Sequence, residues 1–181
     1  MIEPLRSREV YRNAWMTVRE DDVRHSNGHQ GIYGVVDKPD YALVIPRQGD
    51  RLHLVQQYRY PAGGRFWEFP QGSWPGGRSP TDPSELARTE LREETGLRAG
   101  RMTGLGRLHV AYGYASQGCH VFLAEDLEAG EPEREATESD MRQRWVDPDE
   151  WWALIRAGEI TDAATIAAFA LLSRPESAPG T

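Results

Sequence analysis

The feature of this sequence that most constrains its fold is a short helix whose two ends are both clearly marked. Asp82 is a good N-cap, Pro83 suits the first helical position, and Glu85 completes a capping box with Asp82. Gly96 stands where the helix would end, because glycine readily adopts the left-handed conformation that closes a helix. The sequence therefore predicts a helix over 83–95, entered from the glycine- and proline-rich segment QGSWPGGRSP.

Three glutamates follow one face of this predicted helix. Glu90 and Glu94 lie about 40° apart around the axis, and Glu93 lies about 60° to the other side of Glu90. Like charges at this spacing destabilise a helix slightly, whereas Mg²⁺ or Mn²⁺ would turn the repulsion into attraction because these ions prefer oxygen ligands. A solvated acidic face is the other interpretation of such a charge run. The carboxylates alone leave both interpretations open.

The remaining sequence divides into short alternating or apolar segments that end at turn residues, which is the pattern of β-strands. Strands are predicted over 15–25, 30–36, 41–45, 52–58, 67–69, 105–112, 120–123 and 142–146. Two further helices are predicted, one from a cap at Asp147 to near Gly158 and one from a cap at Asp162 to about Ser173. This order predicts an α/β (or α+β) fold in which helices flank a mixed sheet.

Composition and charge exclude several classes of protein. The chain has 181 residues, a formal net charge of −7 and a pI of about 5.3, which argues against general nucleic-acid binding. Cys119 is the only cysteine, so an internal disulfide cannot form. The longest apolar run, from Ile166 to Leu172, is too short to span a bilayer. The charged N-terminus does not read as an export signal, and we therefore expect a cytoplasmic protein.

The helix and the segment before it resemble the signature of the Nudix hydrolase family. That signature is a glycine, then a glutamate, and then the run R-E-U-x-E-E-x-G-U, in which U is aliphatic. Gly72 matches the leading glycine. The second half is matched by Glu90, Leu91, Glu93, Glu94, Gly96 and Leu97.

The sequence departs from the signature in three ways. Thr89 stands where the family has arginine, and Arg78 stands where counting from Gly72 places the first glutamate. The segment between Arg78 and Thr89 is also longer than in the family. These departures bear on the catalytic rate more than on the fold.

The resemblance extends over nearly the whole chain. The order of VQQYRYP, WEFPQG, the signature, AYGYASQG, an acidic loop and WVDPDEWWALIRAGEITDAATIAAFALL is similar to the ADP-ribose pyrophosphatase branch. In that branch an extra N-terminal β-region helps to form a homodimer. The resemblance thus implies a β-region over 1–40 and a Nudix domain over 41–174. The low-complexity composition of PESAPGT predicts a flexible tail over 175–181.

The resemblance also implies a metal site and a catalytic base. In family members the glutamates at the positions of Glu90 and Glu94 bind Mg²⁺ or Mn²⁺, and Glu93 often joins them. A backbone carbonyl in the preceding loop contributes too, which points to Gln71.

The base in this branch usually comes from an acidic loop after the signature, where Glu138 is the first candidate and Glu135 the second. Glu93 is the remaining catalytic candidate. A solvated acidic loop is the other interpretation of Glu135 and Glu138.

Three residues outside the signature are candidates for binding substrate. Arg59 is predicted at a strand end that faces the same loops, where bidentate phosphate contact and a surface salt bridge are the two alternatives. Glu68 could pair with Arg59 or reach a ribose. Trp15 could stack an adenine, although core or interface packing is the alternative for every tryptophan here.

The leading interpretation is a Mg²⁺-dependent hydrolase of nucleoside diphosphate sugars that converts ADP-ribose to AMP and ribose 5-phosphate. One alternative is hydrolysis of dinucleoside polyphosphates or other nucleotides. The alternative from another class is a Nudix domain that binds a nucleotide without hydrolysing it, which Thr89, Arg78 and the longer loop motivate. The expected partners are the nucleotide sugar and a second copy of the chain, with neither membrane nor nucleic acid.

Overall fold

The computed structural model describes residues 1–74, 82–134 and 138–172. Arg78, the candidate base Glu135 and the predicted tail over 175–181 lie outside the described residues. In the described part, the strands form one three-stranded and one seven-stranded sheet.

The N-terminal sheet is antiparallel, in the order β1-β2-β3. Its strands are β1 (Ile2–Arg12), β2 (Thr17–His25) and β3 (Gln30–Asp37). The predicted hairpin of β2 and β3 is therefore confirmed. The sequence does not predict β1, because all of its residues are exposed and no alternation of buried and exposed positions marks it.

The larger sheet carries the site. Its strands are β4 (Tyr41–Gln48), β5 (Arg51–Arg59), β6 (Gly64–Glu68), β7 (Gln71–Gly72), β8 (Arg98–His109), β9 (Gly118–Glu128) and β10 (Arg142–Val146). The order is β10-β5-β4-β9-β8, with β6 paired to β5 and β7 paired to β4. Only the β4–β9 pairing among these described strands is parallel, so the sheet is mixed, as predicted.

Strand β4 is central because it separates two cores. Its side chains alternate between the faces of the sheet, so Leu43 and Ile45 lie in one apolar cluster while Ala42 and Val44 lie in the other. The described helices are α1 (Pro83–Thr95), α2 (Pro148–Arg156) and α3 (Ala163–Leu172). Side chains of α1 join the second cluster, and those of α2 and α3 join the first. The predicted sheet between helices is confirmed.

Helix α1 has the predicted ends. The Asp82 side chain accepts a hydrogen bond from the Ser84 amide at 2.8 Å, and Gly96 closes the helix with a φ of 77°. The cap of α2 is also confirmed, since Asp147 accepts from the Glu150 amide at 2.8 Å.

Several strand boundaries differ from the prediction. β8 begins at Arg98 rather than at 105 and ends before Val110, and β6 ends at Glu68 rather than continuing through Phe69. Glycines within β8 weaken the strand pattern in the sequence. Antiparallel pairing with β9 along nearly its whole length holds β8 extended all the same.

The two sheets are joined through the loop between β8 and β9. The Val36 amide donates to the Tyr114 carbonyl at 2.8 Å, and the Ser116 amide donates to the Val36 carbonyl at 3.1 Å. The Tyr33 hydroxyl also donates to the Gly113 carbonyl at 2.7 Å. Within the described residues, no helix is long and apolar enough to cross a membrane.

Candidate active site

The predicted acidic face of α1 borders a cavity of about 210 Å³. Glu90 and Glu93 line it, as do Thr89 and Glu138. The remaining lining residues are Gln71, Gly72, Ser73, Trp74 and Leu86. The fold thus brings Glu138, which follows β9 by a long loop, to the side of the helix that carries the glutamates.

Gly72 allows the strand to approach the helix closely. A Cβ atom added at Gly72 would lie 2.4 Å from Glu90 Oε2, which is far inside van der Waals contact. Any other residue would therefore displace the Glu90 carboxylate or the backbone of β7. In this chain, close contact with Glu90 requires a glycine at the first position of the signature.

Glu94 is the most unusual group of the site. Its side chain is 1% exposed, and neither carboxylate oxygen has a hydrogen-bond partner in the described structure. Burial is the largest cause that raises the pKa of Glu94 well above its ordinary value, and the negative charges of Glu90, Glu138 and Glu68 add to it. The positive charge of Arg59 opposes this rise.

A buried carboxylate without partners fits a divalent cation. An unpaired buried charge is costly, and a hard cation would compensate for it. In the described part of the chain, no three acidic, histidine or cysteine side chains already form a ligand cluster.

Arg59 and Glu68 form a second charged group beside the glutamates. Arg59 donates from Nη2 to Glu68 Oε1 at 2.5 Å and from Nε to Oε2 at 3.1 Å. Gln57 donates to the same carboxylate at 2.9 Å. Burial raises the pKa of Glu68, and the Arg59 guanidinium opposes that rise. Arg59 therefore forms a salt bridge, in which the Arg59 side chain is 40% exposed while Glu68 is only 2% exposed.

Gln71 connects the cavities around the site. It lines the cavity at Glu90, the one that contains Lys38 and Tyr41, and a third that contains Asp162. Its side-chain amide donates to Asp162 at 3.3 Å, while Asp162 also accepts from the Thr165 amide at 2.8 Å. The sequence identifies Asp162 only as a helix cap. Its contact with Gln71 depends on tertiary structure, and no local signal predicts it.

Trp15 lies away from the glutamates. Its side chain is 73% exposed and lines a cavity of about 310 Å³ with Arg12, Asp37 and Lys38. Lys38 also lines the cavity that contains Arg59 and Gln71, so the two cavities are neighbours that share this side chain. Lys38 belongs to no motif, and the sequence therefore predicts no role for it.

Comparison with known proteins defines the class of this chain. A family model of the NUDIX domain matches residues 37–169, and a model of the nucleoside diphosphate sugar hydrolase N-terminal domain matches residues 2–36. The fold and these matches together define a hydrolase that acts on pyrophosphate bonds. The chain belongs to the Nudix family, within its ADP-ribose pyrophosphatase-like group.

Individual relatives agree with this assignment. An ADP-ribose pyrophosphatase of Mycobacterium tuberculosis (strain ATCC 25618 / H37Rv) is 33% identical over 167 residues, which are 91% of this chain and 80% of the relative. An ADP-ribose pyrophosphatase of Bacillus subtilis (strain 168) is 30% identical over 159 residues, which are 87% and 84% of the two chains. The crystal structure of an ADP compounds hydrolase shares the fold with a TM-score of 0.81 at 24% identity, covering 94% of this chain and 92% of that one.

Proposed function

We propose that this protein hydrolyses the diphosphate bond of nucleoside diphosphate sugars, with ADP-ribose as the substrate that gives AMP and ribose 5-phosphate. The observation that carries the proposal is the buried carboxylate of Glu94, unpaired in the described structure, beside Glu90 and Glu138. The names of two relatives support the choice of ADP-ribose.

The metal of this reaction is proposed to be Mg²⁺ or Mn²⁺. Glu90, Glu94 and Glu93 would hold it together with the backbone carbonyl of Gln71. When bound, such a cation neutralises charge on the diphosphate and lowers the pKa of a coordinated water.

The side chains of the protein then orient the reactants. We assign Glu138 as the base that accepts a proton from the attacking water, because it lines the same cavity as Glu90 and Glu93. Arg59, held by Glu68, would donate to phosphate oxygens with the guanidinium nitrogen that the ion pair leaves available. Trp15 would stack the adenine in the cavity that it shares with Lys38.

A binding domain without catalysis is the second candidate. Thr89 lines the cavity at a position where the family signature has arginine. A domain of this kind would bind ADP-ribose with Mg²⁺ but release no products. Product formation and the ligand-induced change in Tm separate the two functions.

Two further proposals concern the whole chain. We propose a cytoplasmic homodimer whose contact includes the exposed apolar residues of the N-terminal sheet. We also propose that the chain is divided as the sequence suggests, with a β-region over 1–40 and a catalytic domain over 41–174.

The test is the replacement Glu94→Gln, assayed with ADP-ribose and Mg²⁺ or Mn²⁺ by chromatography of the products. We expect wild-type protein to release AMP and ribose 5-phosphate only when metal is present, and the variant to lose at least about 100-fold in turnover. The metal-free variant should be at least as stable as wild type, because an amide replaces a buried carboxylate, and metal should no longer raise its Tm.

Glu85→Gln is the matched control, since Glu85 lies on the same helix but is exposed. It should keep wild-type turnover and the response to metal. Absence of products from folded wild-type protein, combined with a rise in Tm on adding ADP-ribose and Mg²⁺, would favour the binding domain instead.

A further inference from the structure

The segment of residues 130–134, which follows β9, lies against the C-terminal end of α1. The Glu133 amide donates to the Glu93 carbonyl at 3.0 Å, and Arg134 Nε donates to the Glu94 carbonyl at 3.1 Å. A Cβ atom at Gly96 would lie 2.2 Å from the Gly130 carbonyl oxygen, so the segment crosses the helix end in direct contact.

These contacts provide hydrogen bonds to carbonyl groups that have no partner within the helix. The last carbonyls of an α-helix have no partner within the helix. The Gly96 amide donates to the Arg92 carbonyl at 2.9 Å, and the Thr95 hydroxyl donates to the Leu91 carbonyl. In the described structure, the next two carbonyls, of Glu93 and Glu94, receive their bonds from the segment. Both belong to residues whose side chains form the acidic face.

The Arg134 guanidinium also binds the backbone just after Glu138. Arg134 Nη1 donates to the Met141 carbonyl at 2.7 Å. Met141 is 4% exposed, and its amide donates to the Glu138 carbonyl at 3.0 Å. The planar guanidinium therefore joins the end of α1 to the turn that carries Glu138, an arrangement for which its fixed set of donors is suited.

The other contacts of the segment are weaker. Glu133 pairs with Arg92 at 3.3 Å and with Arg98 at 3.4 Å, but its side chain and that of Arg98 are more than half exposed. Exposed ion pairs of this kind contribute little to stability. Arg134, by contrast, makes two part-buried hydrogen bonds that hold the segment relative to the end of α1.

We propose that Arg134 is a positioning residue that sets Glu138 against the acidic face of α1, and this rests on the proposed role of Glu138 as base. Arg134 does not line the cavity at Glu90, so its effect on catalysis passes through the position of Glu138. A role in substrate binding would lower affinity, whereas a misplaced base lowers kcat.

The first experiment measures kcat and KM for ADP-ribose in Arg134→Ala, Arg134→Lys and Arg98→Ala. We expect Arg134→Ala to lose at least about tenfold in kcat with KM within about twofold of wild type. Arg134→Lys should recover part of the loss, because one ammonium cannot replace the fork of donors. Arg98→Ala should match wild type. Wild-type kcat in Arg134→Ala, or a loss confined to KM, would overturn the proposal.

A double-mutant cycle with Glu138→Gln tests whether Arg134 acts through Glu138. If it does, adding Arg134→Ala to Glu138→Gln should cost less than about twofold more in kcat. If the two losses multiply, Arg134 acts by another route and the proposal is wrong. Wild-type turnover in Glu138→Gln would remove Glu138 as base and this proposal with it.

A structural readout keeps the inference separate from the proposed activity. Should wild-type protein hydrolyse nothing, the proposed function fails. Hydrogen exchange of the Met141 amide then tests by itself whether Arg134 holds the turn that carries Glu138. Exchange at least about tenfold faster in Arg134→Ala than in wild type or Arg98→Ala supports it. Unchanged exchange overturns it.

Discussion

Glu68, Glu94 and His53 are all buried, but each ionisable side chain has different surroundings. Glu68 has an ion pair with Arg59 and a hydrogen bond from Gln57. Neither carboxylate oxygen of Glu94 has a hydrogen-bond partner in the described structure. A bound ligand such as a cation would provide the missing partner. His53 is 5% exposed, lies edge-on to Trp145 at 4.7 Å between ring centroids, and is neutral when buried.

His53 makes stability depend on pH. Burial lowers the pKa of His53 to about 4 from 6.5. Because the unfolded chain binds the proton more readily, this contribution to stability is complete above pH 6.5 and is lost as pH falls towards about 4. The free energy of unfolding should fall by about 3 kcal/mol across that window from this group alone.

Urea unfolding of wild type and His53→Leu at pH 7 and pH 4.5 measures the effect. The variant should show a smaller fall in stability between the two values, since it has no imidazole to protonate. His29→Gln, which replaces an exposed histidine, should behave like wild type. An equal fall in the free energy of unfolding between pH 7 and pH 4.5 for wild type and His53→Leu would contradict the prediction.

The two ends of helix α1 contribute differently to the stability of the protein. At its start, the Asp82 carboxylate accepts one backbone hydrogen bond. At its end, Gly96 adopts a positive φ and also lies directly beneath the Gly130 carbonyl. A side chain at Gly96 would therefore meet both backbone strain and a steric clash.

We predict that Gly96→Ala destabilises the protein by at least about 2 kcal/mol, because it combines left-handed strain with displacement of the segment at Gly130. Asp82→Ala should cost only about 1 kcal/mol, since it removes one cap. Equilibrium unfolding in urea gives both values. Equal losses in the two variants would mean that the contact at Gly130 relaxes without cost.

The elements of the site were predictable to different degrees. The ends of α1 and the shared face of Glu90, Glu93 and Glu94 follow from local capping rules and helical periodicity. The buried state of Glu94 does not, because it depends on strands that pack on α1 from elsewhere in the chain. The bonds of Arg134 likewise join residues distant in sequence, and no motif marks them.

At the scale of the whole molecule, the N-terminal sheet presents apolar residues to solvent. The exposed set in its strands is Ile2, Leu5, Val10, Tyr11, Ile32 and Tyr33. Exposed apolar groups that are clustered on one region commonly mark a contact with another protein. A second copy of the chain is the partner that we propose.

We predict a wild-type mass near twice 20.4 kDa by light scattering. Leu5→Glu combined with Ile32→Glu should shift the mass to that of one chain, because buried carboxylates would oppose the contact. Ile166→Glu, which changes an exposed apolar residue of α3, is the control and should stay dimeric. A wild-type protein with the mass of one chain would refute the dimer.

The parallel pairing of β4 with β9 has a consequence for how the protein is made. A ribosome releases β4 long before β9, while the N-terminal sheet is built from strands that follow one another directly. The N-terminal sheet can therefore close early in synthesis, but the edge of β4 that pairs with β9 stays unpaired until β9 has been made. During this interval the unpaired edge of β4 is exposed, and exposed strand edges of this kind favour aggregation.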